Sequence, residues 1–136
     1  MRKSLYLILL YLAICSVGYA QTYCTPTVAN VANYGIGITN VTIGTINNTT
    51  TTPGTPPTYF DFTNLSASNT AGATQNVSVT LGPSNSTRVA IYIDWNNDGT
   101  FNTTFGSEYM WTNTVYNPST TQTGSFTVPS VSPGVY

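Results

Sequence analysis

The chain changes character within Thr87-Arg88-Val89-Ala90-Ile91-Tyr92-Ile93-Asp94-Trp95-Asn96-Asn97-Asp98-Gly99. Its first eight residues alternate. Val89, Ile91 and Ile93 share one face, and Arg88, Ala90, Tyr92 and finally Asp94 share the other. A period of two is the pattern of a strand with one buried face. The stretch therefore reads as a central strand that delivers Asp94 to a sheet edge. Beyond Asp94 the alternation stops, and Asn-Asn-Asp-Gly is a strong turn signal.

The turn is also where the charge lies. The chain has four acidic residues, three basic ones and no histidine. Three of the acids, Asp94, Asp98 and Glu108, fall within this one region, and the only base outside the N-terminal tip is Arg88. One arginine does not neutralise three carboxylates; a bound cation would. Asp94, Asn96 and Asp98 alternate, and Gly99 follows, which is the first half of the calcium-loop pattern D-x-[DN]-x-[DN]-G. Alternate oxygens in a tight loop converge on one hard cation, and glycine permits the sharp turn. The second half of an EF-hand is missing: Phe105 stands where the bidentate glutamate belongs, and a strand rather than a helix leads in. The expectation is a strand-end calcium loop. Asp94, Asn96, Asp98 and Glu108 supply side-chain oxygens, Thr100 a backbone carbonyl, and Asn102 a direct or water-mediated contact. The same residues also suit a plain polar turn.

Outward from this region the chain reads as further strands. Gln75–Leu81 alternates, with Val77, Val79 and Leu81 on one face, and Gly82-Pro83-Ser84-Asn85 turns the chain. Residues 36–46 read as a strand whose apolar parity switches, which predicts a bulge or bend near Asn40. Residues 47–58 read as a loop. Tyr59–Thr63 reads as a short strand or extended corner, with Asp61 accepting hydrogen bonds from turn backbone. Glu108–Val115 and Gly124–Val128 are further strands, separated by a turn at Asn117-Pro118-Ser119, and residues 134–136 begin another. Six strands and a stub, closely spaced turns and no helical period predict an all-β antiparallel sandwich of the immunoglobulin or jelly-roll type, with about six to seven strands.

The N-terminus is read differently. Arg2 and Lys3 precede an apolar run from Leu5 to Val17, and Gly18-Tyr19-Ala20 supplies the small residues of a cleavage site. A signal peptide over 1–20 is expected, leaving a mature domain at 21–136. The apolar run is about thirteen residues, short of the roughly 20 a span needs, so no stable membrane span is expected after cleavage. Cleavage leaves Arg88 facing Asp61, Asp94, Asp98 and Glu108. Such a chain lacks the basic surface that nucleic acid requires. It also leaves Cys24 without a second cysteine, since Cys15 departs with the signal.

Several segments in order resemble the GEVED domain of secreted bacterial proteins: Tyr23-Cys24-Thr25-Pro26, Gly37–Asn48, Tyr59–Thr63, Asp94–Gly99 and Phe126–Pro129. The resemblance covers nearly all of Tyr23 to Tyr136. It implies a β-sandwich accessory module in larger exported proteins, beside peptidase or adhesion domains, with no catalysis of its own. The family carries further cysteines near the first strand, so the resemblance makes Cys24 a remnant without its partner. The family also continues past Pro-Gly-x-Tyr with further strands, so a domain lacking its last strands, with an unpaired edge, is expected.

Catalysis is disfavoured because no histidine is present for a Ser-His-Asp or Cys-His arrangement. A non-catalytic structural module, secreted or at the cell surface, is the leading expectation, with other domains of a longer parent as its partners. The alternative is a carbohydrate-binding or adhesion module, with tyrosines and Trp111 stacking on surface glycans. Trp95 and Trp111 equally suit a core. The export reading is checked by intact mass and N-terminal sequencing: an exported product beginning at Gln21 is expected, and an intact Met1 on cytoplasmic protein would end it.

Overall fold

The computed structural model describes Tyr23, residues 36–50 and 59–132, Gly134 and Tyr136. The expected signal segment and its cleavage site, and Cys24, lie outside the described residues. Among those residues there is no helix, and six strands form two antiparallel sheets. The strands are β1 (Ile38–Ile43), β2 (Ile46–Thr49), β3 (Thr74–Leu81), β4 (Ala90–Tyr92), β5 (Tyr109–Thr112) and β6 (Thr121–Thr127). One sheet has the order β2-β1-β3-β6, and the other is the pair β4-β5. The chain leaves the large sheet after β3, makes β4 and β5 opposite it, and returns as β6 beside β3. The expected all-β sandwich is the architecture found.

The six strands are not the six read from the sequence. Gly44 and Thr45 make a two-residue turn between Ile43 and Ile46, so the first segment folds into a hairpin. Gly44 has φ +56. A positive angle at the first loop residue is what tight hairpins need, and glycine adopts it without a steric cost. The second arm of this hairpin takes residues assigned to a loop. The expected bulge is present: the β1–β3 register shifts between Ile38 and Asn40. Tyr59–Thr63 forms no strand and is an extended corner. The Thr63 N–H donates to Asp61 Oδ1 at 2.9 Å, which is the role expected of Asp61.

The strand read over 87–94 is regular only at Ala90–Tyr92, and it pairs only with β5, so it is not central. Its inward residues are nonetheless those the alternation names: Val89 is buried, and Ile91 and Ile93 pack against the core. The rest of that core is Val77, Val79, Leu81, Met110, Trp111, Phe126 and Val128. Each such side chain contributes roughly 1.5–3 kcal/mol by leaving water.

Two local features join the sheets. The β4–β5 register slips between Ile91 and Tyr92, opposite Met110. An extra residue in one strand turns two consecutive side chains to one side. Met110 and Trp111 are accordingly both buried. The Trp111 indole then lies against Gly124 of β6. A Cβ on Gly124 would fall inside the ring, with Cδ1 at 2.7 Å and Cε2 at 2.9 Å. Gly124→Ala should therefore destabilise the fold by about 2–3 kcal/mol, as overpacking does, read from urea unfolding. In a double-mutant cycle the alanine should cost less once Trp111→Phe has trimmed the ring. Equal costs in both backgrounds would show that the indole is not the cause.

Candidate functional site at the acidic loop

The loop between β4 and β5 is closed by backbone pairing beyond the short strands. The Ile93 N–H donates to the Glu108 carbonyl at 2.9 Å. This bond returns the chain beside Asp94 and places Glu108 at the base of the loop. Asp94 and Glu108 are almost fully buried, at 2% and 5% exposure, whereas Asp98 is exposed. Strict alternation would leave Asp94 on the exposed face with Tyr92. Its own loop folds back over it instead.

A buried carboxylate needs donors. Asp94 has several: the Gly99 N–H donates to Oδ2 at 2.8 Å, the Tyr23 hydroxyl to Oδ2 at 2.9 Å, and the Asp98 N–H to Oδ1 at 3.2 Å. Positive φ angles at Asn97 (58°) and Gly99 (83°) curl the backbone so that its N–H groups face inward. Burial pushes the Asp94 carboxyl up. The Gly99 N–H, the Tyr23 hydroxyl and the N–H groups of Asp98 and Asn97 outweigh it and hold the group below the usual aspartate value.

The other expected ligands follow the loop. The Asp98 N–H also donates to Asn96 Oδ1 at 3.1 Å, so oxygens of Asp94 and Asn96 converge on one nitrogen. The Asn96 amide donates to Asp98 Oδ2 at 2.9 Å. The Thr100 hydroxyl and N–H donate to Asp98 Oδ1 at 2.6 and 2.8 Å, and lower its pKa in that order. The Asn102 N–H donates to Glu108 Oε2 at 2.6 Å, while Asn102 Oδ1 accepts from the Thr104 N–H at 2.9 Å. Asp94, Asn96 and Asp98 are thus drawn together, Glu108 closes the base, and the Asn102 side chain is turned to its own turn. Among the described residues the three carboxylates do not by themselves form a group compact enough to hold one ion. Asn96 and backbone oxygens would have to complete any set of ligands.

Tyr23 is the participant that sequence reasoning missed. It lies 71 positions from Asp94, with nothing in the spacing to link them. Partial burial, then its bond to Asp94, then the charges of Asp94, Asp98 and Glu108 push its hydroxyl pKa up. All three acids therefore act on one phenol oxygen. The Tyr23 ring stacks on Phe101 at 5.6 Å, and ring contacts continue through Tyr92 and Tyr109 to Phe105. Arg88 does not pair with the acids. It lies beside Tyr109, whose side chain does most to raise its pKa, and near Tyr116 and Tyr92. Trp111 is buried and is not available to stack on a glycan, which corrects that part of the carbohydrate reading.

Because the folded pKa of Asp94 lies below its unfolded value, its stabilisation is present above the unfolded value of about 4 and is lost as pH falls through the folded one. Thermal melts should therefore show a loss of stability on acidification below about pH 4. Asp94→Asn should cost about 1–3 kcal/mol at neutral pH by weakening a buried charged acceptor, and should flatten that acid limb. An unchanged acid limb would remove Asp94 from this role.

The family model of the GEVED domain matches residues 88–136. The matched stretch holds β4, the acidic loop, β5 and β6. It is narrower than the resemblance read from the sequence, and β1, β2 and β3 lie outside it. No curated protein and no solved structure matches the chain.

Proposed function

We propose that this chain is a non-catalytic structural module of an exported bacterial protein, with the acidic loop as a calcium-stabilised fastening at one end of its β4–β5 sheet. The observation that carries this reading is the pair of almost fully buried carboxylates, Asp94 and Glu108, beside the exposed Asp98. Hydrogen bonds from the loop backbone and Tyr23 are what lower the Asp94 pKa. Asp94 Oδ2 and Asp98 Oδ1 each already accept two bonds, so the free acceptor capacity lies on Asp98 Oδ2 and on Glu108, and with Asn96 and backbone oxygens these would supply the ligands of a hard cation. Calcium suits such a site because it takes six to eight oxygens in flexible geometry. The non-catalytic reading rests on the absence of histidine and on the engagement of the loop's acids with the loop's own backbone. The signal-like N-terminus and the GEVED match support export.

A second reading, glycan binding, is favoured by the aromatic row on β4–β5, where Tyr92, Phe101 and Phe105 are exposed. Tyr92 and Phe101 meet tilted at 5.7 Å, while Phe105 meets Tyr109 edge-on at 5.2 Å. Phe105, the most exposed at 65%, has the freest surface, so glycan-array binding lost in Phe105→Ala is its test.

Calorimetry and thermal melts decide the calcium reading. Millimolar calcium should raise Tm, by roughly 3–6 °C for each kcal/mol of binding linkage in a domain of this size. Asp98→Ala should abolish the calcium-dependent part while changing the metal-free melt little. Absence of both heat and thermal shift in the folded wild type would leave a hydrogen-bonded polar turn.

A further inference from the structure

Among the described residues four strands have an open edge: β2 and β6 in the large sheet, β4 and β5 in the small one. Three of these are four residues or fewer, whereas β6 has seven. Its pairing with β3 runs without a register shift from Thr74↔Thr127 to Thr80↔Thr121. The parity of that ladder fixes which groups face out. The Leu81 N–H donates to the Thr120 carbonyl, and the Val128 N–H to the Ala73 carbonyl. Even-numbered residues of this strand therefore bond to β3, and the N–H and C=O groups of Thr121, Thr123, Ser125 and Thr127 point away from it. All four residues are exposed. Among the described residues no backbone hydrogen bond reaches these outward groups.

Open edges are usually blunted by a charge, a proline, a bulge or short length. Thr121–Thr127 carries neither charge nor proline, and it is neither bulged nor short. It also has an internal symmetry. About Gly124, the outward residues read Thr, Thr, Ser, Thr, nearly the same in both directions. A twofold axis at Gly124 would set Thr121 opposite Thr127 of a second copy, and Thr123 opposite its Ser125. Each facing pair would exchange two backbone bonds. Directly opposed Thr–Thr and Thr–Ser pairs are favourable cross-strand neighbours. No like charges meet.

We propose that β6 is a self-pairing edge, and that a second copy of this chain adds antiparallel to it, joining two four-stranded sheets into one. The contact is isologous, so it closes at a dimer.

Sedimentation velocity on the purified chain, from micromolar to millimolar, tests this. A concentration-dependent dimer is expected, with slowed exchange of the Thr121, Thr123, Ser125 and Thr127 amides as it forms. The double variant Thr123→Lys with Ser125→Lys would place like charges opposite each other across the axis. It should raise the dimer dissociation constant roughly tenfold or more. Ser84→Lys with Ser86→Lys, in an exposed turn, is the charge-matched control and should dimerise as wild type. A wild-type chain that remains monomeric at millimolar concentration overturns the proposal. Concentration-independent protection of those amides would then identify another segment of the same chain as the occupant, and rapid exchange would show an edge that stays open. A dimer unaffected by the lysines overturns it as well.

Discussion

The seating of Trp111 on Gly124 is the contact on which the other features depend. A two-stranded sheet is not independently stable, and β4–β5 is held by what it buries against β3 and β6. The bulge opposite the Ile91–Tyr92 step sends Met110 and Trp111 inward together, and Gly124 offers the indole a place where no side chain stands. Trp95 extends the contact. Its indole N–H lies 3.2 Å from Met110 Sδ, and its ring meets Phe126 edge-on at 6.5 Å. The acidic loop hangs from this small sheet, so the position of its carboxylates is set by core packing.

Polar burial follows a single logic in a chain with so few charges. Asn113 is 2% exposed, and its amide is fully used. Oδ1 accepts from the Val89 N–H at 2.8 Å, while Nδ2 donates to the carbonyls of Thr87 at 2.9 Å and Val115 at 2.8 Å. It thereby ties the two connections that cross between the sheets. Asp94 does the same at the other end of β4, satisfying the N–H groups that a tight turn leaves without partners. Both side chains replace ladder hydrogen bonds where the strands stop, which is why β4 can be three residues long and still be fixed at both ends.

The parts of this architecture legible in the sequence were those with a local cause. Alternation exposed Val77, Val79 and Leu81 as one face, and the parity switch after Ile38 marked the bulge. Asp61 announced its turn because its acceptor role reaches only two residues. The hairpin at Gly44-Thr45 was hidden because β2 is written in Asn and Thr, residues that suit a loop as well as an exposed edge strand. Tyr59–Thr63 left a short strand and an extended corner both open, since aromatics favour strands; among the described residues nothing pairs with it, and the corner is what forms. Asn113 reaches Val89 and Thr87, and Tyr23 reaches Asp94, across 24 or more residues, and no spacing rule carries such information. The concentration of acids was visible; the burial of two of them depends on how the loop folds back.

That burial bears on how a cation would act at this loop. Asp94 is already compensated by the inward N–H groups of Asp98 and Gly99 and by the Tyr23 hydroxyl. In the calcium reading the ion is therefore not needed to make Asp94 tolerable, because Asp94 Oδ2 already accepts two bonds. Asp98 differs. It is exposed, and its partners are the short local bonds to Thr100 and Asn96, which a protein exchanges with solvent or a ligand at little cost. The loop thus divides into a fixed inner carboxylate that shapes the turn and an outer carboxylate free to choose its partner.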